Sequence, residues 1–224
     1  MNGAAGADGA DRLAPVDVDF TCEDVVADRY AAGPTVVFKM RATETSGAHV
    51  HALALRCQAR VEPVRRSYSD SEAAQVVDLF GERSRWGQTM QTMQLAFMTQ
   101  VLPGFTGSTT FELVMPCSYD IEVAAHKYLA GLEDGLVPLV LLFSGTVFTG
   151  SPGTISVVPV PWHKEVSVRM PVTVWREAMD VHFPGQAWLR LERGSYDRLA
   201  AYRGSRGLTG WDEAIAALLE EAGE

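Results

Sequence analysis

The stretch H-A-L-A-L-R-C-Q-A-R-V-E, residues 51–62, decides the fold class. His51, Leu53, Leu55, Cys57, Ala59 and Val61 fall on one side of an extended chain, with Arg56, Gln58, Arg60 and Glu62 on the other. Side chains in a strand alternate with period two, so this segment reads as a strand with one buried and one wet face.

The same period recurs outward from it. Upstream, Val16, Val18, Phe20 and Cys22 alternate with Asp17, Asp19 and Thr21, and Val36, Phe38, Met40 and Ala42 alternate with Val37, Lys39, Arg41 and Thr43. Downstream, an extended segment from Arg85 to Val101 carries Met93, Leu95 and Phe97 on one face and is expected to end at a Pro103-Gly104 turn. Alternation resumes from Thr109 to Cys117, and Val137–Phe148 is branched and aromatic enough for a strand buried on both faces. Thr154–Val160 and Lys164–Met170 read as two more strands joined across Pro161, Trp162 and His163. Residues 118–132 read as strand passing into short helix.

Helical spacing appears in Ser69–Gly81, where Ser69 and Glu72 form a capping box and Gly81 stops the chain. It returns in Val172–His182, Ser195–Arg203 and Thr209–Ala222, the last with Thr209 as N-cap and Gly223 as terminator. About eight short strands followed by helices predict an α+β chain. Its body is mainly an antiparallel β-sandwich, with a crossing helix near 70–80 and a C-terminal helical tail over 172–222. Residues 1–15 read as a disordered tail and 16–224 as a single domain.

Composition narrows the function classes. The chain has 224 residues, 47% of them hydrophobic, with a net charge of −9, as in a globular protein. Duplex binding requires clustered cations, so nucleic acid is not expected as a partner. The N-terminus lacks a secretory pattern, and Leu136–Phe143 is too short to span a bilayer, so a cytoplasmic protein without membrane contact is expected. Cys22, Cys57 and Cys117 are odd in number and lack C-x-x-C spacing, which predicts reduced thiols buried on inward faces.

No signature of catalysis stands out. There is no G-x-S-x-G elbow and no dinucleotide or Walker loop, and no nearby Cys, Asp or Glu joins His49-x-His51, which leaves only His126, His163 or His182 as a third ligand, so neither a catalytic residue, a metal nor a cofactor is assigned. Arg65-Arg66 precede the crossing helix, and F-G-E-R-S-R-W-G-Q at Phe80–Gln88 adds Arg83, Arg85 and Trp86. Arg and Trp are enriched at binding hot spots, and an Arg fork suits carboxylate or phosphate. Asp70, Glu72 and Glu82 offer these arginines local pairs instead. V-P-W-H-K-E at Val160–Glu165 adds Trp162 and His163, and with Trp175 the indoles are expected to lock the helical tail onto the sheet.

Those motifs, with L-L-F-S-G-T-V-F at Leu141–Phe148 and W-R-E-A-M-D-V-H-F-P at Trp175–Pro184, resemble an uncharacterised bacterial family, of actinobacterial type, from about Val16 to Ala222. The resemblance implies genes lying near those for uptake nickel–iron hydrogenases, hence an accessory or assembly role, and supplies no catalytic residue. The chain lacks the cysteine quartets that nickel–iron or iron–sulfur ligation would use. The expectation is a non-enzymatic interaction module with a protein partner. The alternative is a protein, binding or catalytic, that holds a small anionic or apolar ligand between sheet and helical tail near Arg83, Arg85, Trp86 and Trp162. An uncovered strand edge could also pair two copies as a homodimer.

Overall fold

A computed structural model describes residues 16–117, 123–150, 154–186 and 191–223. The expected tail over 1–15 and the expected strand near Tyr119 and Ile121 lie outside the described residues. Two compact units divide the chain, one ending at Pro184 and the other beginning at Gly185.

The first unit is a two-layer β structure. Strands β1 (Val18–Ala27), β2 (Thr35–Glu44) and β5 (Ser108–Pro116) form one antiparallel sheet in the order β1-β2-β5. The second sheet orders β4 (Met93–Thr106), β3 (His49–Val61), β6 (Leu136–Thr149) and β7 (Ser156–Pro159), all antiparallel. At its first half β6 pairs instead with β8 (Glu165–Pro171). The sandwich read from alternation is therefore present, and β3 lies at its centre between β4 and β6.

Inward side chains of both sheets share one core, in which Phe20 of β1 stacks on Phe143 of β6 at 4.3 Å between ring centroids. Phe38, Met40, Leu53 and Leu141 are sealed from solvent, each contributing about 1.5–3 kcal/mol by burial. Cys57 and Cys117 are buried as expected, and burial pushes both thiols up to about 12. Cys22 is only half-buried, beside an irregularity between Cys22 and Asp24 that interrupts the β1 ladder.

Two such irregularities correct the expected faces. In β4 the register skips Leu95 between Gln94 and Ala96, so inward positions pass to Met98 and Leu102, while Phe97 turns out to solvent. An extra residue on one strand of a pair reverses the parity of everything beyond it. Between Val50 and Ala52 the pairing of β3 with β6 shifts in the same way, and His51 is exposed while Val50 enters the core. β4 also runs through Pro103-Gly104 without turning, and the reversal falls after Thr106 at Gly107, whose φ is +71°. The expected burial of β6 on both faces holds for Val137–Leu141 and ends at the exposed Ser144.

The crossing helix is two pieces, α1 (Asp70–Gln75) and α2 (Val77–Phe80), with the predicted Ser69–Glu72 capping box and a stop at Gly81, φ +70°. A short α3 (Trp86–Thr89) replaces the start of the expected extended segment. Helix α4 (Val123–Ala130) packs on β4, and α5 (Val172–Asp180) packs on β1, β2 and α4 and buries Trp175. The helical tail is thus shared between units: α5 belongs to the first, and α6 (Arg193–Ser205) and α7 (Trp211–Ala222) form the second. Gly210, one residue after the expected Thr209, is the N-cap of α7. Among the described residues no helix is long and apolar enough to cross a membrane.

Candidate functional site

The seven side chains singled out in the sequence fall in two places. Arg65, Arg66, Arg83, Arg85 and Trp86 flank α1 and α2, whereas Trp162 and His163 sit on the turn between β7 and β8.

Around α1 the arginines mostly pair locally. Glu72, at the third position of α1, accepts from the backbone N–H groups of Ser69 and Glu133 at 3.1 and 3.0 Å and from Arg66 Nη2 at 2.6 Å. Both side chains of the pair are about nine-tenths buried. Burial alone would raise the Glu72 pKa, but these donors and the Arg66 charge outweigh it and hold the carboxyl below its usual range. Arg66 also donates to the carbonyls of Ser67 and Asp134, stands over the Tyr68 ring at 4.9 Å, and leaves Nη1 buried without a hydrogen-bond partner. Tyr68 in turn bonds Pro63 O and the Tyr128 hydroxyl, at 2.7 and 2.8 Å, which ties α1 to α4. Arg83 donates to Asp70 and to the carbonyls of Tyr68 and Ser69, and Trp86 Nε1 donates to Gly81 O while its ring meets Tyr68 edge-on. Arg65 pairs with Glu62; Arg85 is exposed and has no ion pair among the described residues.

A groove of about 450 Å³ opens beside this network, lined by Arg65, Arg66 and Arg169 as well as Glu72, Glu133 and Asp134, over Leu136 and Pro138. Arg169 was missed in the sequence because it reads as an outward residue of β8. It is exposed and carries no ion pair among the described residues.

Trp162 was expected to pack; instead it is 91% exposed, with His163 as its ring neighbour at 5.9 Å. Its turn is held firmly. Lys164 N–H donates to Pro161 O, and Lys164 Nζ, on a side chain only 10% exposed, bonds Asp17 and Asp19 ahead of and within β1 at 2.8 and 2.6 Å. Burial works against the Lys164 charge, but the two carboxylates keep its pKa above the ordinary value.

The turn lies at the edge of the five-stranded sheet, where Val160 N–H donates to Gly145 O and Phe143 N–H to Lys164 O. Register places Val101, Ala54 and Thr146 in one row and Ala52, Phe148 and Val157 in the next, all directed away from the core. Val101, Val157 and Ile155 are 68%, 62% and 74% exposed. Farther along the face come the polar row Thr99, Arg56 and Ser144 and then Phe97, Gln58 and Leu142, with Arg56 stacked on Phe97 at 4.5 Å and Arg60 beyond. The outer face of the other sheet carries Lys39, Arg41, Thr110 and Glu112, with the row Val26, Val37 and Val114 at one end. His49 and His51 lie on β3 with rings 4.9 Å apart, and His49 Nδ1 is 2.8 Å from the Thr106 hydroxyl. No group of three His, Cys, Asp or Glu gathers to hold a metal among the described residues.

These features define a two-sheet α+β protein whose five-stranded sheet exposes Val101, Ile155 and Val157 and carries a solvent-facing indole on a clamped turn at its edge. The chain belongs to DUF6084, a family of unknown function, whose sequence model matches residues 15–224. None of the curated proteins matches it. Among solved structures it is similar to the β-glucosidase of Kluyveromyces marxianus, at 11% identity and a TM-score of 0.28. It is also similar to β-glucosidase 3B of Thermotoga neapolitana, at 12% identity and a TM-score of 0.26. The matches cover 70% and 69% of this chain but only 15% and 17% of those enzymes.

Proposed function

We propose that the protein is a non-enzymatic interaction module that docks a protein partner on the outer face of its five-stranded sheet, with Trp162 as anchor. The observation that carries this is the exposure of Trp162 on a turn fixed by the Lys164–Asp17–Asp19 clamp. A rigid indole pays little ordering entropy on binding, and tryptophan is among the residues most enriched at hot spots. Val101, Ile155 and Val157 extend the contact, and Arg56 and Arg60 call for carboxylates at the partner's rim. The family resemblance of the motifs points to hydrogenase assembly in a bacterial cytoplasm as the setting in which to seek the partner. The test is affinity capture with the wild-type chain beside Trp162→Ala and Val101→Asp variants of unchanged circular dichroism and melting. One protein enriched by the wild type, lost with both variants, and binding as a purified pair supports the reading. Enrichment indifferent to both variants refutes it, as does no enrichment at all.

A second reading is a small-anion site in the groove beside α1, where Arg169, without an ion pair among the described residues, and Arg65 line the groove with Leu136 and Pro138 opposite the acids Glu72, Glu133 and Asp134. Titration with succinate and with inorganic phosphate at constant ionic strength tests it. Saturable binding abolished by Arg169→Gln favours a small anionic ligand, and heats no larger than those of sodium chloride exclude it.

A further inference from the structure

We infer that the C-terminal unit is a dimerisation element in which α7 of each copy lies on α6 of a second copy. The unit runs from Gly185 to Glu224, and its helices have 13 and 12 residues. Helices this short are marginal alone in water, and a unit of about 40 residues lies at the limit below which a fold needs a staple or a partner. Among its described residues only Ala214 is buried.

Helix α7 carries Trp211, Ile215, Leu218 and Ala222 at spacings of four, three and four, the seam of a helix that packs on another helix. Its own partner covers one side, with Tyr196 5.3 Å from the Trp211 ring and the Arg203 guanidinium over it at 4.0 Å. Ile215, Leu218 and Leu219 remain more than a third exposed.

Charge selects the occupant. Helix α6 holds Arg193, Arg198 and Arg203 against a single acid, Asp197, with Arg206 following it; α7 holds Asp212, Glu213, Glu220 and Glu221 and no base. Two α7 helices face to face would oppose carboxylates, and two α6 helices would oppose guanidiniums. Between copies, α7 on α6 is the pairing that matches acid to base, as Arg206–Glu221 does within one copy, and a two-fold axis makes that contact twice. Within one copy the ion pairs are Arg193–Asp197 and Arg206–Glu221, which leave Arg198, Asp212 and Glu220 without ion-pair partners among the described residues.

Sedimentation equilibrium of the full chain over a hundredfold concentration range tests this. A monomer–dimer equilibrium is expected, weakened at least tenfold by Leu218→Glu and by Arg198→Glu. Mixing the Arg198→Glu chain with one carrying Asp212→Arg and Glu220→Arg should restore a heterodimer. Trp162→Ala should leave the equilibrium unchanged, which separates this proposal from partner docking on the sheet. Should Leu218→Glu unfold α7 by circular dichroism, the exposed Arg198→Glu exchange and its rescue carry the decision. A chain that sediments as a monomer throughout, or a dimer indifferent to Arg198→Glu, overturns the proposal.

Discussion

Replacing Glu72 with alanine is expected to destabilise the first unit by about 3–5 kcal/mol, the usual cost of removing one member of a buried ion pair. The size follows from the geometry. Alanine removes the acceptor of three donors, the N–H groups of Ser69 and Glu133 and Arg66 Nη2, and leaves a guanidinium whose side chain is 10% exposed with no counter-charge. With a urea m-value of roughly 3 kcal/mol/M for a chain of this size, the midpoint should fall by about 1–1.7 M at unchanged m. The double variant Arg66→Met, Glu72→Leu removes both charges and should recover the part of the loss due to the uncompensated guanidinium, leaving about 1–3 kcal/mol for the Ser69 and Glu133 N–H groups that still lack their acceptor. Urea unfolding followed by β-sheet circular dichroism on the wild type, Arg66→Met, Glu72→Leu and the double variant closes a double-mutant cycle, with Glu72→Ala measured beside it. A loss under about 1 kcal/mol for Glu72→Ala, or a double variant as weak as the single, would refute the view that this pair is buried and mutually dependent.

Further outcomes follow from the same structure. The Glu72 carboxyl is held below its ordinary range in the folded chain, so its contribution is present above the unfolded value near 4.5 and is lost as pH falls. The difference between wild type and Glu72→Gln should therefore shrink on acidification, as urea midpoints at neutral and acidic pH will show. Cys57 and Cys117 should stay unreactive toward a thiol reagent at pH 8 until denaturant is added. Cys22, pushed up mainly by burial to about 11, should react slowly, with only about one molecule in a thousand as thiolate. Gly145→Ala should cost more than about 2 kcal/mol and lower Tm by several degrees, because at φ +150° a Cβ would stand 2.1 Å from the Ala54 carbonyl oxygen. Trp162→Ala should alter stability by less than about 0.5 kcal/mol, since the indole is almost wholly in solvent.

The sandwich could be read from alternation because β3, with neighbours on both sides, buries every second residue along most of its length. The faces of β4 could not, because the skipped Leu95 has no signature of its own: nothing in Q-L-A-F-M says which residue leaves the ladder. Ser69 and Glu72 announced a helix start through their spacing. That Glu72 also accepts from Glu133, 61 residues away, depends on where α4 returns the chain, which local pattern does not encode. Trp162 was misplaced for an energetic reason: an indole reads as core, whereas a turn clamped through Lys164 can hold it outside. Arg65, Arg66, Arg83, Arg85 and Trp86 stand close in sequence around the crossing helix; of the local partners weighed against ligand binding, Glu72 pairs with Arg66 and Asp70 with Arg83, while Glu82 pairs with none of them. The apolar sheet face needed register, because Val101, Phe148 and Val157 come together only across four strands.

Strand β6 hosts two neighbours end to end, β8 along its first part and β7 along its last, and the segment bearing Trp162 bridges them. That bridge is a natural insertion point. Its length and composition can vary while both flanking ladders keep their register, so a loop of different recognition could be spliced there without refolding the body. Swapping the bridge between relatives would then test whether the proposed docking travels with the loop.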